Sequence, residues 1–190
     1  MARLWFVRHG QSTWNAEGRW QGQADPPLSA LGRAQAERLA ERLAGAGIAL
    51  LAASDLARAR ETAEVVAARL GLAPVLDPAL REHDVGAWSG LTHAEIEQRF
   101  PADLAAFLAG DLALRPGGGE SRLALRARVQ AAFARLAARG SEPLAVVSHL
   151  GVLRALAPEA HVAPGELLCL DALPGLEGEV TGPGARRSSS

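Results

Sequence analysis

Short apolar runs alternate with longer segments of mixed polarity along this chain. Each run is too short for a helix, and a short continuous apolar run is typical of a strand buried on both faces of a sheet. The pattern predicts strands at residues 4–7, 48–53, 74–76, 144–147 and 166–172.

The segments between the runs carry apolar residues at helical spacing. After Ser29, which can cap a helix, this spacing is met by Ala36, Leu39, Ala40 and Leu43. The same pattern predicts helices at 56–70, from the Thr92–Glu95 capping box to Pro101, at 103–109, around 125–136 and at 152–156. Because strands and helices alternate, we predict an α/β fold: a three-layer α/β/α sandwich around a central, mostly parallel sheet.

Three segments show neither the helical spacing of apolar residues nor a continuous apolar run. Residues 15–27 and 80–90 are rich in glycine and polar residues, and both are predicted to be long loops, which are often functional. Residues 116–119 read Pro-Gly-Gly-Gly and predict a flexible stop before the long helix.

The length of 190 residues suits one domain, which we place at 1–180; the patternless tail at 181–190 is predicted to be disordered. No stretch approaches the ~18–20 apolar residues of a membrane span, and polar sequence by residue 8 leaves no room for a signal peptide. A cytoplasmic protein is therefore expected. Its one cysteine, Cys169, rules out an internal disulfide.

The charged residues exclude several classes of function. A formal net charge of -1 argues against a nucleic-acid binder. All 20 basic residues are arginine, so lysine Schiff bases and the lysine of a Walker-type phosphate loop are excluded. Any bound anion must be held by arginine, histidine or backbone N–H groups.

Two histidines follow buried strands that lie far apart in sequence. Arg8 and His9 come at the end of the first predicted strand, and His149 comes after Ser148 at the end of the fourth. Open α/β sheets hold their ligands at the carboxyl ends of the strands. An arginine beside an imidazole at this position predicts a bound anion, and phosphate has the best geometric match.

Two other interpretations compete for these histidines. Each could be a satisfied core residue, as a lone buried histidine often is. Each could also bind a metal, but the only close grouping with carboxylates is Glu82-His83-Asp84, whose adjacent side chains point apart on an extended segment. We predict no metal.

Arg58 and Glu82 are further candidates, and each also has a purely structural interpretation, which for Glu82 taken alone is the favoured one. Arg58 falls in the first turn of the predicted helix at 56–70, where it either points into the crevice above the sheet or lies on the surface. Glu82 lies in the predicted loop at 80–90 and is either a solvated carboxylate or the proton donor for a leaving group.

Several motifs together resemble the histidine phosphatase superfamily, also called phosphoglycerate mutase-like. The resemblance covers roughly residues 3 to 156 and rests on motifs in the family's order: Val7-Arg8-His9-Gly10-Gln11-Ser12-Thr13-Trp14-Asn15, Leu28-Ser29-x-x-Gly32-x-x-Gln35-Ala36, Ser54-x-Leu56-x-Arg58-x-x-x-Thr62-Ala63, Leu80-Arg81-Glu82-x-x-x-Gly86-x-Trp88-x-Gly90, Pro116-Gly-Gly-Gly-Glu120-Ser121 and Val147-Ser148-His149. One departure is Leu150-Gly151 after His149, where many members have Gly-Gly.

The resemblance implies a phosphomonoester hydrolase with a phosphohistidine intermediate and no metal or other cofactor. His9 would be the nucleophile, Glu82 the general acid and base, and Arg8, Arg58 and His149 the groups that hold the phosphoryl oxygens. Further hydrogen bonds to the phosphoryl group are implied for Ser12, Asn15, Gln21 and Gly22.

The same pocket serves phosphatases and phosphoglycerate mutases. The mutases carry a longer insertion with lysine and paired arginines, whereas this chain has no lysine, and its Arg99 and Arg115 are separated. The resemblance therefore favours a phosphatase with a small helical cap at about 91–120, acting on a small-molecule phosphomonoester as a monomer or homodimer. A mutase and a non-catalytic phosphate-binding relative remain the alternatives.

Overall fold

The computed structural model describes residues 4–140 and 143–170. The strands are β1 (Leu4–Arg8), β2 (Leu50–Ala53), β3 (Val75–Leu76), β4 (Leu144–Ser148) and β5 (Leu167–Leu170). The helices are α1 (Thr13–Ala16), α2 (Ala30–Leu43), α3 (Ala57–Leu70), α4 (His93–Arg99), α5 (Pro101–Leu108), α6 (Arg122–Ala137) and α7 (Leu150–Leu156). Short 3₁₀ turns lie at Pro78–Leu80, Gly86–Trp88 and Pro116–Gly118.

The strands form one five-stranded sheet in the order β3-β2-β4-β1-β5. β3, β2, β4 and β1 run parallel to one another, and β5 pairs antiparallel with β1. In the central pair, Arg8 lies opposite Ser148, so β1 and β4 end at the same level. The residues that follow these two strands are therefore neighbours at the carboxyl edge of the sheet.

Each face of the sheet is covered by helices. On one face, Phe6 and Val146 pack against apolar residues of α6 and α7. On the other, Val7 and Val147 pack against α2 and α3. Successive side chains of β1 and β4 therefore pack into two separate cores, one on each face of the sheet. The predicted three-layer α/β/α architecture is confirmed.

A third, smaller core lies between the loop at 80–90 and the segment where the cap is predicted. Val85, Trp88, Ile96 and Leu104 are buried there, and Trp20 and the α5 side chain of Phe107 pack around them. The rings of Trp20 and Phe107 each meet Trp88 edge-on, with centroids 5.5 Å apart in both pairs. That residues 91–120 act as a cap stays a prediction.

The sequence pattern misplaced several boundaries. The predicted loop at 15–27 overlaps α1, a single helical turn whose capping box of Ser12 and Asn15 spans too few residues to show a period. β2 begins at Leu50 rather than residue 48, and α5 begins at Pro101, because proline is well suited to the first turn of a helix.

The Pro-Gly-Gly-Gly segment is not a free spacer. A Cβ at Gly117 would lie 2.6 Å from the carbonyl oxygen of Val85, so the two backbones touch. Gly117 also has a φ of 57°, which glycine adopts without strain. The glycines therefore allow this turn to pack directly on the loop at 80–90.

Some predictions fall outside the described residues, namely the tail at 181–190 and the last two residues of the strand predicted at 166–172. Within the described part of the chain, no helix is long and apolar enough to cross a membrane.

Candidate active site

His9 and His149 emerge side by side from the ends of β1 and β4. The backbone N–H of His9 donates to the carbonyl oxygen of Ser148 at 3.0 Å, which extends the ladder between the strands by one bond. The two imidazole rings lie with centroids 5.1 Å apart and planes inclined by 59°. Parallel pairing of two strands far apart in sequence is what brings the predicted pair together.

The imidazole of His9 is buried and held in one orientation. Its Nδ1 lies 2.6 Å from the carbonyl oxygen of Gly10, which can only accept, so Nδ1 carries the proton and Nε2 keeps its lone pair. Burial, and then the positive charge of Arg58, hold the pKa of His9 well below its ordinary value. His9 is therefore a neutral imidazole at neutral pH.

Gly10 and Thr62 hold the backbone next to His9 in place. The Gly10 N–H donates to Thr62 Oγ1 at 3.1 Å, and that hydroxyl donates in turn to the carbonyl of Arg58 at 2.7 Å. A Cβ at Gly10 would collide with the backbone of Gly32 at the start of α2. The glycine after His9 is thus required by the close approach of two backbones.

Arg58 is fully buried, and its guanidinium is directed at the loop that follows α1. Its Nη1 donates to the carbonyl of Ala24 at 2.8 Å and its Nη2 to the carbonyl of Gly22 at 2.9 Å. Burial lowers the pKa of Arg58 to about 10, with the carboxylates of Glu82 and Asp25 opposing the shift. The guanidinium remains charged at neutral pH.

Arg8 and His149 complete the group. Arg8 donates from Nη1 to the carbonyl of Val162 at 2.8 Å. His149 is fully buried, and burial followed by the charge of Arg58 holds its pKa well below the ordinary value.

These three side chains have buried polar atoms without partners in the described part of the chain. They are Nε of Arg8, Nε of Arg58 and both ring nitrogens of His149. No carboxylate of the described residues lies within 4.0 Å of either guanidinium. Buried polar groups normally have hydrogen-bond partners. Unpaired donors gathered around a neutral imidazole fit a bound oxyanion.

The Glu82 carboxylate interacts electrostatically with both arginines of this group. It is the largest of the charges that raise the pKa of Arg8 and of Arg58. Its Oε1 accepts from the N–H of His83 at 2.7 Å, and its Oε2 accepts from the N–H of Gly151 at 3.3 Å. Two backbone amides thus fix the position of the carboxylate.

Gly151 leaves room for that carboxylate. A Cβ at this position would collide with Glu82 Oε1 and lie 3.3 Å from the Cβ of His83. The unusual Leu150-Gly151 sequence after His149 therefore keeps its glycine at the position that contacts the acid.

The other predicted site residues line the same region. Ser12 Oγ donates to Gln21 Oε1 at 2.6 Å and accepts from the N–H of Asn15 at 3.0 Å, while Asn15 Oδ1 accepts from the N–H of Ser12. Gly22 contributes the carbonyl that holds Arg58. Ser12, Asn15 and Gln21 thus bond to one another, and Gly22 bonds to Arg58; the role of all four toward a phosphoryl group stays a prediction.

The sequence patterns missed Arg128, which holds the loop that carries Glu82. From α6, its guanidinium donates to the carbonyls of Ala79, Arg81 and Glu82 at 2.7–2.9 Å and forms a two-bond ion pair with Glu120. Nothing near Arg128 in the sequence distinguishes it from the other arginines of this helix. Among the described residues, no group of three His, Cys, Asp or Glu side chains is placed to hold a metal.

Comparison with known proteins gives consistent matches. A sequence model of the histidine phosphatase superfamily (branch 1) matches residues 4–169. Glucosyl-3-phosphoglycerate phosphatase of Mycobacterium tuberculosis is 40% identical over 163 residues, covering 81% of this chain and 73% of that protein. Phosphoglycerate mutase-like protein 4 of Arabidopsis thaliana is 41% identical over 165 residues, covering 84% and 71%. A solved structure of mycobacterial glucosyl-3-phosphoglycerate phosphatase with VO3 has a TM-score of 0.83 at 36% identity, covering 90% of this chain and 91% of that chain.

Proposed function

The chain belongs to the histidine phosphatase superfamily, and we propose that it hydrolyses small-molecule phosphomonoesters through a phosphohistidine intermediate on His9. One observation carries the proposal: Arg8, Arg58 and His149, each with a buried polar atom that has no partner among the described residues, act on or contact a neutral His9 imidazole whose Nε2 keeps its lone pair. An oxyanion that satisfies those donors places its central atom beside a nucleophile.

The first half of the reaction transfers the phosphoryl group to the enzyme. The Nε2 lone pair of His9 forms a bond to phosphorus while the bond to the ester oxygen breaks. Glu82, in its protonated form, gives its proton to the departing alkoxide, so that an alcohol leaves. Nδ1–H stays hydrogen-bonded to the Gly10 carbonyl, which favours the positive charge that the ring gains.

The second half restores the enzyme. Glu82, now a carboxylate, takes a proton from water, and the water oxygen bonds to phosphorus as the bond to Nε2 breaks. Inorganic phosphate leaves, His9 is again a neutral imidazole, and Glu82 is again protonated.

Both halves pass through a transition state with negative charge on the equatorial phosphoryl oxygens. Arg8, Arg58 and His149 provide fixed hydrogen-bond donors for that charge in a site largely closed to water, where such interactions are strong. Ser12, Asn15, Gln21 and Gly22 are proposed to contribute further contacts directly or by holding these groups.

The proposal is tested with p-nitrophenyl phosphate. We expect hydrolysis that continues in the presence of EDTA, because every proposed role is taken by a side chain, and that is inhibited by vanadate. Vanadate is a suitable probe because a solved relative was obtained with VO3. Activity that EDTA removes and a divalent cation restores would contradict the metal-independent mechanism.

A mutase is the second candidate, because one relative is named Phosphoglycerate mutase-like protein 4. It predicts interconversion of 2- and 3-phosphoglycerate when 2,3-bisphosphoglycerate is present. Release of inorganic phosphate without interconversion favours the phosphatase, and a substrate panel that includes glucosyl-3-phosphoglycerate tests the chemistry named for the mycobacterial relative.

Gly151→Ala is expected to lower kcat/KM for an alkyl phosphate by about tenfold to 10²-fold, since small misplacements of a catalytic group have effects of this size. The added Cβ displaces the Glu82 carboxylate. The free energy of unfolding should not fall along with the activity, because alanine stabilises a helix by about 1 kcal/mol relative to glycine.

Kinetics and thermal unfolding of the same variant separate these effects. Gly45→Ala is the matched control, since a Cβ there has nothing within 4 Å. Wild-type kinetics in Gly151→Ala would show that Glu82 does not need its observed position.

A further inference from the structure

His83 is a buried histidine whose side chain has no part in the proposed reaction. Only 6% of the residue is exposed, and its ring Nε2 lies 2.6 Å from the carbonyl oxygen of Glu120. A carbonyl can only accept a hydrogen bond, so Nε2 carries the proton and donates to that oxygen. Because Glu120 lies just before α6, this bond ties the loop at 80–90 to a segment 37 positions further along the chain.

The same imidazole also contacts α5. The ring of Phe107 is stacked on it, with centroids 6.2 Å apart and planes inclined by 20°. Phe107 is held in turn by the third core, where its ring meets Trp20 and Trp88 edge-on at centroid distances of 5.6 and 5.5 Å. The His83 side chain is therefore anchored twice, by a hydrogen bond and by a packed aromatic ring.

The residue that accepts this hydrogen bond is itself fixed. The backbone N–H of Glu120 donates to the carbonyl of Asp84 at 2.8 Å, and the Glu120 carboxylate forms the ion pair with Arg128. Arg128 also donates to the carbonyl of Glu82 at 2.9 Å. The residues on both sides of His83 are thus bonded to Glu120 or Arg128, and the imidazole adds a third bond between the same two segments.

The backbone of His83 holds the Glu82 carboxylate. Its N–H lies 2.7 Å from Glu82 Oε1, whereas the second amide, that of Gly151, lies 3.3 Å from Oε2. His83 and Glu82 are adjacent, so a rotation of the planar peptide unit between them would turn the closer N–H away from the carboxylate. A side chain anchored on Glu120 and Phe107 opposes that rotation and so stabilises the position of the carboxylate.

We propose that His83 is a positioning residue, whose imidazole holds the Glu82 carboxylate in the place from which it protonates the leaving group. A catalytic group on a loop depends on such support, because a displacement of about 1 Å can lower a rate by about 10²-fold. The inference rests on the proposed function for the role of Glu82. It extends the machinery of the first step to the side chain of His83 and, through Phe107, to α5.

Two substitutions separate the hydrogen bond from the ring contact. His83→Phe keeps an aromatic ring beside Phe107 but loses the donor, and His83→Gln loses the ring but keeps an amide N–H that can reach the Glu120 carbonyl. In single turnovers, we expect His83→Phe to slow phosphorylation by glycerol 3-phosphate by about tenfold to 10²-fold, and His83→Gln to recover part of that loss. The rate with p-nitrophenyl phosphate should change far less, because p-nitrophenolate leaves without a proton.

A double variant tests whether His83 acts through Glu82. In the Glu82→Gln background the proton donor is absent, so His83→Phe should slow the reaction of glycerol 3-phosphate by no more than about twofold further. His93→Phe is the matched control, because His93 is exposed at the start of α4. Circular dichroism and thermal unfolding check that the variants are folded. An equal loss with both leaving groups, or a full loss that persists in the Glu82→Gln background, would overturn the inference.

Hydrogen exchange separates this inference from the proposed reaction, because it needs no turnover. We expect the backbone amides of residues 81–84 to exchange about fivefold faster in His83→Phe than in the wild type, the effect of one lost hydrogen bond, and at the wild-type rate in His93→Phe. Faster exchange in His83→Phe, together with no hydrolysis by the wild type, would support the anchor and contradict the proposed function. Hydrolysis by the wild type, with exchange and single-turnover rates unchanged in His83→Phe, would do the reverse.

Discussion

Replacing His9 by alanine is expected to lower kcat for p-nitrophenyl phosphate by at least about 10⁴-fold, the scale observed when the nucleophile of a covalent mechanism is removed. No other side chain of the group can take its place. His149 is fully buried, its pKa is lowered, and no hydrogen-bond partner among residues 4–140 and 143–170 orients its ring; the arginines cannot act as nucleophiles. The remaining donors would still bind the phosphoryl group, so KM should change far less than kcat.

The covalent intermediate gives this prediction a second measurement. Wild-type enzyme quenched in base during turnover of a ³²P-labelled substrate should carry label that acid releases, as expected for a phosphohistidine, and His9→Ala should carry none. His93→Ala is the matched control, because His93 is exposed at the start of α4. Activity within tenfold of the wild type in His9→Ala, or label that survives in it, would contradict the mechanism.

The sheet and its two covering layers could be predicted because their patterns are local. Continuous apolar runs become β1 and β4, and helical spacing after Ser29 becomes α2, whose cap is the Ser29 side chain. Parallel pairing then places the residues after β1 and β4 together without any further information. The proximity of His9 and His149 follows from this one step.

The orientation of single side chains could not be predicted in the same way. Arg58 and Arg60 lie two residues apart at the start of α3, and the sequence left the role of Arg58 open. The structure buries Arg58 completely against the carbonyls of Gly22 and Ala24, whereas Arg60 is 41% exposed and forms a surface pair with Glu64. The difference depends on the path of the loop after α1, which has no periodic signal.

Contacts between segments far apart in the sequence could not be predicted either. Arg128 acts through three carbonyl groups of the 80–90 loop, and a carbonyl oxygen is present at every residue. Gly151 matters because of a carboxylate 69 positions earlier in the chain. Such positions are recognised only when both partners have been placed in space.

The burial of Arg58 indicates how the site selects its ligand. A buried guanidinium is costly unless it is paired, and in the described structure it has carbonyl partners but no carboxylate within ion-pair distance. The charge of Arg58 is therefore not neutralised by a direct ion pair within the described structure, which fits the proposed binding of a phosphate group. The Glu82 carboxylate is then free to move a proton, which leads to a distinct test.

Glu82→Gln is expected to slow phosphorylation by an alkyl phosphate by about 10²–10⁴-fold, the usual contribution of a general acid. An alkoxide is a poor leaving group without a proton, whereas p-nitrophenolate leaves unaided. Single-turnover rates for p-nitrophenyl phosphate should therefore change far less than those for glycerol 3-phosphate. Because Glu82 is also proposed to take the proton from water, the variant should release p-nitrophenolate in a burst of one per site and then turn over slowly.

The physical basis of this test is the geometry around the carboxylate. Both Glu82 oxygens accept from backbone N–H groups, so a glutamine amide can satisfy only one of them and must turn its NH₂ away from the other. Glu97→Gln is the matched control, since Glu97 is exposed on α4. A loss of equal size for both leaving groups would mean that Glu82 shapes the site without donating the proton. A selective loss for the alkyl ester, followed by slow hydrolysis of the phosphoenzyme, would identify one carboxylate as the acid of the first step and the base of the second.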